Sequence, residues 1–133
     1  MKKKQTLLIV DDEEKNVRLF KAVLMQENYN IVAALNGEDA LKIVDNMSLD
    51  LILLDVMMFG MDGFKVCRKI KNDAKTRNIP ILMLTVLTEK EDRLKAMEAG
   101  ADGFMSKPAS RNSLLGRIES MLHINRQDCK WEI

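Results

Sequence analysis

Leu51-Ile52-Leu53-Leu54-Asp55 is a run of four aliphatic residues that ends on a carboxylate, and Val56-Met57-Met58 follow it. Opened by Asp50 and leading to Gly60, Asp62 and Gly63, so short an apolar run reads as a strand buried on both faces. Asp55 then stands where the buried strand ends. Three further runs close in the same way: Leu7-Leu8-Ile9-Val10 on Asp11-Asp12, Ile81-Leu82-Met83-Leu84 on Thr85, and Gly103-Phe104-Met105-Ser106 on Lys107. Together these strand ends carry three carboxylates, a hydroxyl and an ammonium. In an open parallel α/β sheet, ligands bind outside the carboxyl ends of the strands, where the strand order reverses.

Working outward, strand-like and helix-like stretches alternate. Lys15 to Glu27 carries Val17, Phe20 and Val23 or Leu24 at helical spacing, and Asn30 to Ala34 reads as a strand. Asn36 caps a helix whose inward stripe is Ala40, Leu41, Ile43 and Val44. A helix from about Asp62 to Lys71 sets Phe64, Cys67 and Ile70 on one face, and Pro80 opens the fourth strand. Thr88-Glu89-Lys90-Glu91 has the capping-box pattern for a helix carrying Leu94, Met97 and Glu98 and stopping at Gly100. Ser110 or Asn112 starts the last helix, with Leu114, Ile118, Met121 and Leu122 as its stripe. Five repeats of strand then helix imply a doubly wound, five-stranded parallel α/β sheet of order 2-1-3-4-5 with five helices, a flavodoxin-like arrangement. That order brings Asp11, Asp12 and Asp55 together.

The 133 residues suffice for one domain with a real core, expected over 1–123, with 124–133 as a tail or the start of a linker. Apolar residues at 47% and charged residues at 31% exclude a disordered or collagenous chain. With 21 basic against 20 acidic side chains, a net charge of +1 gives no field that would draw the protein onto nucleic acid or an anionic membrane. No apolar run approaches the roughly 20 residues of a membrane span, and no signal-like segment opens the chain, so a cytoplasmic location is expected. Cys67 and Cys129 lack metal-ligand spacing and read as free thiols.

Crowded carboxylates are tolerable only with a cation among them or with some of them protonated. An all-oxygen, acid-rich site with room for water suits Mg²⁺, which also gathers phosphate oxygens. Asp55, on the middle strand, is the candidate nucleophile toward phosphorus, forming an acyl phosphate. Lys107 would pair with phosphoryl oxygen or with Asp55, and Thr85 could donate to the same group. Taken singly, each has a plainer reading: a strand-end Asp forms turns or caps, and a lone Thr or Lys is a strand-end or solvated residue. The coincidence of complementary groups at one rim is what points to a site.

Ile9-Val10-Asp11-Asp12-Glu13, Leu53-Leu54-Asp55-Val56-Met57-Met58 with Gly60-Met61-Asp62-Gly63, Leu84-Thr85 and Ser106-Lys107-Pro108 resemble the motifs of response regulator receiver domains of two-component systems. The resemblance runs from about Leu7 to Leu122. It implies phosphoryl transfer from a sensor histidine kinase or phosphotransfer protein onto Asp55, with Mg²⁺ held by Asp11, Asp12, Asp55 and the backbone carbonyl of Met57. By the same resemblance Lys107 contacts the phosphoryl group, Thr85 moves toward it and Phe104 is the switch aromatic, although Phe104 also suits a core position. A cis Lys107-Pro108 peptide is implied too. An output domain or protein would read the changed surface of the last two strands and helices. A phosphorylation-dependent homodimer is compatible with this, and the chemistry is confined to the chain's own phosphorylation and dephosphorylation rather than enzyme turnover.

Some residues depart from the family pattern. Phe59 stands where proline is usual, exposing an aromatic ring, and Val86 is larger than the usual residue after Thr85 and could narrow access to the pocket. Met57 and Leu87 cannot orient an attacking water, which predicts a long-lived aspartyl phosphate. Gly103 stands where a second acid is common, which weakens the case for a charged dimer face. His123 reads as a solvated residue near a helix C-terminus. The stretch from Asp55 to Gly63 with Phe64-Lys65-Val66-Cys67-Arg68 also resembles receivers that precede cyclic-dinucleotide enzymes. The rivals are three. An aspartyl-phosphate phosphatase wants a second acid where Met57 stands, and a nucleotide or flavin module wants a glycine-rich phosphate loop that is absent. A degenerate receiver serving only protein contacts would have lost part of the acid and lysine set, and this chain keeps all of it.

Overall fold

The computed structural model describes residues 4–86, 89–107 and 109–123. Its strands are β1 (Thr6–Val10), β2 (Asn30–Ala34), β3 (Leu51–Leu54), β4 (Ile81–Thr85) and β5 (Gly103–Ser106). Helices α1 (Glu14–Met25), α2 (Gly37–Asn46), α3 (Gly63–Asn72), α4 (Lys90–Glu98) and α5 (Arg111–His123) alternate with them. All the pairings are parallel, in the order β2-β1-β3-β4-β5. The fold expected from the sequence is the fold observed.

Strand pleating divides the core in two. Leu8, Val10, Ile52, Leu54, Ile81, Met83 and Phe104 pack with α2, α3 and α4. Leu7, Ile9, Leu51, Leu53, Leu82 and Leu84 pack with Val17 and Leu24 of α1 and Leu114 and Ile118 of α5. β1, β3 and β4 are therefore buried on both faces, which is why they read as unbroken aliphatic runs. Register then aligns the strand ends: Val10 pairs with Leu54, and Thr85 with Ser106. Asp55 N–H donates to the Val10 carbonyl at 3.0 Å, so Asp11 and Asp55 leave the sheet side by side.

Local chemistry sets the helix ends. Asn36 and Asp62 cap α2 and α3 by accepting from Asp39 N–H (2.8 Å) and Lys65 N–H (2.9 Å). Ser110 Oγ accepts from Ser113 N–H at 3.1 Å and opens α5. The expected start of α4 needs correction: the capping box is Glu89 with Asp92, one residue later than the Thr88 pattern, and Thr88 lies outside the described residues. Leu94 is also not in the core but 48% exposed. Ala96 and Ala99, three apart, bury instead, letting α4 approach the sheet closely. At its end Gly100 has φ +94°, and Ala101 N–H bonds the Ala96 carbonyl at 3.0 Å, the left-handed stop that glycine supplies without strain. α1 ends at Met25, short of the expected Glu27, because Asn28 takes φ 67°.

At the far end of the sheet, Lys71 Nζ donates to the Arg77 and Ile79 carbonyls (3.0 and 2.7 Å) and to Asp102 Oδ2 (2.7 Å). Asp102 also accepts from Ile81 N–H at 2.9 Å, so one ion pair ties α3 to the starts of β4 and β5. Cys67 is a free, fully buried thiol that burial pushes up to about 12. Gly103 faces Leu82 and Met121, whose atoms would lie 3.0 and 3.2 Å from any Cβ there, so a side chain would press on α5. No helix among the described residues is long and apolar enough to cross a membrane.

Candidate functional site

The carboxyl ends of β1, β3 and β5 deliver Asp11, Asp55 and Lys107 to one hollow, and Asp12 stands at its rim. Carboxylate oxygens of Asp11, Asp12 and Asp55 all lie within 4.8 Å of one another. Asp11 and Asp55 are buried and Asp12 is exposed. Lys107 Nζ reaches between the two buried acids, 2.7 Å from Asp11 Oδ2 and 3.4 Å from Asp55 Oδ2. Backbone donors orient the acids: Glu13 N–H to Asp11 Oδ1 (3.0 Å), Met57 N–H to Asp55 Oδ1 (3.3 Å) and Phe59 N–H to Asp12 Oδ2 (2.9 Å). The loop after β3 thus binds back to the acid pair that follows β1.

Burial raises the pKa of Asp55 above the ordinary aspartate value; the Lys107 ammonium opposes that shift and the Asp11 charge adds to it. A set of oxygen donors this dense, with one exposed member, fits a hard divalent cation that keeps water ligands. Asp11, Asp12 and Asp55 are the side chains that could hold it. Gly63 makes the loop possible, since a Cβ there would lie against the Asp55 carbonyl oxygen and 2.7 Å from Val56 Cα.

Thr85 is fully buried at the end of β4, and its carbonyl accepts from Lys107 N–H at 2.7 Å. Phe104 is 7% exposed, packed in the α2–α4 core on the face that Thr85 shares by strand parity. Met57 and Val86 are solvent-facing, and Phe59 is 93% exposed, as its position in the loop led us to expect. A groove of about 740 Å³ runs from Asp55, Lys107 and Val86 toward Phe20, Val23 and Leu114, joining the acidic hollow to the α1–α5 side. Leu87, the Lys107-Pro108 peptide and the tail with Cys129 and Trp131 lie outside the described residues.

The sequence reading missed one contact. Asn16 Nδ2 donates to Asp11 Oδ2 at 3.2 Å from the first turn of α1. The available signal was an asparagine, a modest helix former, five residues beyond Asp11 where the helix gains little from it.

Comparison with known proteins bears on the family and the fold. The family described as response regulator receiver domain matches residues 7–119. Response regulator PleD of Caulobacter vibrioides is 46% identical over 115 residues, covering 86% of this chain and 25% of PleD. The alkaline phosphatase synthesis transcriptional regulatory protein PhoP of Bacillus subtilis is 39% identical over 116 residues, covering 87% of this chain and 48% of PhoP. The chain thus spans a quarter to about half the length of these curated relatives. Among solved structures, chemotaxis protein CheY4 of Vibrio cholerae superposes with a TM-score of 0.86 at 28% identity, covering 90% of this chain and 99% of CheY4. The BeF3-activated DrrB receiver domain gives 0.82 at 30% identity, covering 92% of this chain and all of that one. With the family's match running from within β1 through β5 and most of α5, this chain belongs to the response regulator receiver domains of two-component systems.

Proposed function

We propose that Asp55 is the phosphoacceptor of this receiver, and that residues 1–123 form the switching domain, with 124–133 as a tail or the start of a linker. The observation that carries the reading is the Lys107 ammonium set between Asp11 and Asp55 inside a cluster of three carboxylates. A sensor histidine kinase or phosphotransfer protein presents a phosphohistidine at the mouth. An Asp55 oxygen forms the new P–O bond as the P–N bond breaks, and the imidazole leaves to take up a proton. Asp11, Asp12, Asp55 and the Met57 carbonyl would hold Mg²⁺, which supplies positive charge against the phosphoryl oxygens. Lys107 pairs with one of those oxygens and Thr85 donates to another.

The phosphoryl group adds about two negative charges at neutral pH, and it shifts the population toward whichever conformation contacts it better. Thr85 and Lys107 sit where β4 and β5 end and Phe104 lies within β5, so the change is read on the face of those strands with α4 and α5. An output domain, a separate protein or a second phosphorylated copy is the reader. The chain acts as a cytoplasmic signalling switch, without nucleic-acid or membrane contact of its own. Retention of the full acid and lysine set favours this over a degenerate receiver that works by contact alone.

Intact mass spectrometry after incubation with Mg²⁺ and acetyl phosphate tests the proposal. The expected result is one phosphoryl-sized mass gain, lost in Asp55→Ala and in EDTA. No gain in the parent protein, or an equal gain in Asp55→Ala, overturns it.

A further inference from the structure

The side chain of Asn16 is not spent on its own helix. α1 has Glu13 at its N-cap position with no side-chain capping bond, and Asn16, three residues on, does not reach back to it. Its amide crosses instead to Asp11 Oδ2 at 3.2 Å, and the residue lines the groove that leads to Asp55. Asp11 is 1% exposed, so donors, not water, set the orientation of its carboxylate. Glu13 N–H fixes Oδ1 at 3.0 Å, while Oδ2 is shared by Lys107 at 2.7 Å and Asn16. A donor on each oxygen fixes the plane of a carboxylate, whereas a donor on only one leaves it free to turn.

These two donors at Oδ2 differ in kind. Lys107 ends a long flexible stem and also stands 3.4 Å from Asp55, so phosphoryl oxygen arriving there competes for it. Asn16 is short and anchored on the first turn of α1, where its own N–H bonds the Glu13 carbonyl at 3.1 Å. We infer that Asn16 is a positioning residue for the phosphoryl-transfer site, holding the Asp11 carboxylate in its present orientation when the Lys107 ammonium is drawn away. The inference rests on the proposed function, because it matters only if a cation and a phosphoryl group occupy the hollow. Groups that orient a metal-binding carboxylate from behind are worth roughly 10–100-fold in affinity. A single bond of 3.2 Å belongs at the low end of that range.

The test uses the full chain with Asn16→Ala and the near-isosteric Asn16→Leu, so that a lost donor is separated from lost bulk. Mg²⁺ alone is titrated by calorimetry, and phosphoryl uptake from acetyl phosphate is followed at limiting and at saturating Mg²⁺. Both variants are expected to bind Mg²⁺ about tenfold more weakly. They should be slow at limiting metal and close to the parent at saturating metal, with unchanged melting in EDTA, a pattern that a merely structural role would not give. Mg²⁺ affinity within twofold of the parent overturns the inference, as does a deficit equally large at saturating metal. A parent protein that binds no Mg²⁺ or takes no phosphoryl group overturns the proposed function and this inference with it, and that result is seen before either variant is made.

Discussion

Lys107 stands closer to Asp11, at 2.7 Å, than to Asp55, at 3.4 Å. The ammonium is thus the counterion of the buried acid pair in the absence of metal. Lys107→Met leaves the carboxylates facing one another without a cation. In EDTA this variant should be less stable than the parent by about 1–3 kcal/mol, and Mg²⁺ should stabilise it more than it stabilises the parent. Urea titrations with and without metal check this, and equal stability in EDTA would remove the counterion role.

Although Lys107 pairs with it at 3.4 Å, burial outweighs that pairing, and Asp55 carries a pH signature opposite to the usual one for a salt-bridged aspartate. Burial raises its folded pKa above 3.8. Between 3.8 and the raised folded value the folded chain therefore holds more protons than the unfolded one, and stability falls as pH rises through that window. Below the window the penalty is absent and above it the penalty is complete. Asp55→Asn removes the charge and keeps an acceptor for Met57 N–H, so without metal it should melt a few degrees higher than the parent at neutral pH. The difference should close as pH falls below the window. Parallel melts across that range measure it, and a variant that melts lower at pH 7 would contradict the cause assigned to the shift.

Gly63 and the Asp55 carbonyl are packed so closely that only a hydrogen fits between them. Because the atoms a methyl group would meet are backbone, the neighbour cannot rotate away, and Gly63→Ala must move the loop that aims Asp55. A cost of about 1–3 kcal/mol is expected, with loss of most phosphoryl uptake. Chemical unfolding together with a phosphorylation time course would show both effects, and near-parental values in each would mean that the loop tolerates displacement.

Val86 is 60% exposed at the mouth that Asp55 and Lys107 line. If Asp55 is the phosphoacceptor proposed above, the branched side chain of Val86 would narrow the approach to phosphorus from solvent. Val86→Ala should speed both uptake from acetyl phosphate and loss of the phosphoryl group severalfold, with stability unchanged because little of the side chain is buried. Unaltered rates in both directions would free Val86 of that role.

The strands and the rim were legible because β1, β3 and β4 are buried on both faces and so write themselves as aliphatic runs with polar ends. Asp11, Asp55, Thr85 and Lys107 could be placed at one rim from strand order alone. α4 was less legible: its contact with the sheet is made by Ala96 and Ala99, and alanine marks a helix without marking which face is inside. Leu94 carries the stronger apolar signal and points outward. The choice of Lys107 for Asp11 over Asp55, and the reach of Asn16 to Asp11, depend on side-chain rotamers and on how α1 leaves β1. Sequence spacing constrains neither.

The most direct test of the account is to locate the phosphoryl group. The protein is phosphorylated with acetyl phosphate and Mg²⁺, the acyl phosphate is reduced with borohydride, and the changed residue is found by peptide mass spectrometry. The account predicts homoserine at position 55 alone. Reduction at Asp11 or Asp12, or phosphate that survives borohydride as a stable ester on Thr85, would contradict it.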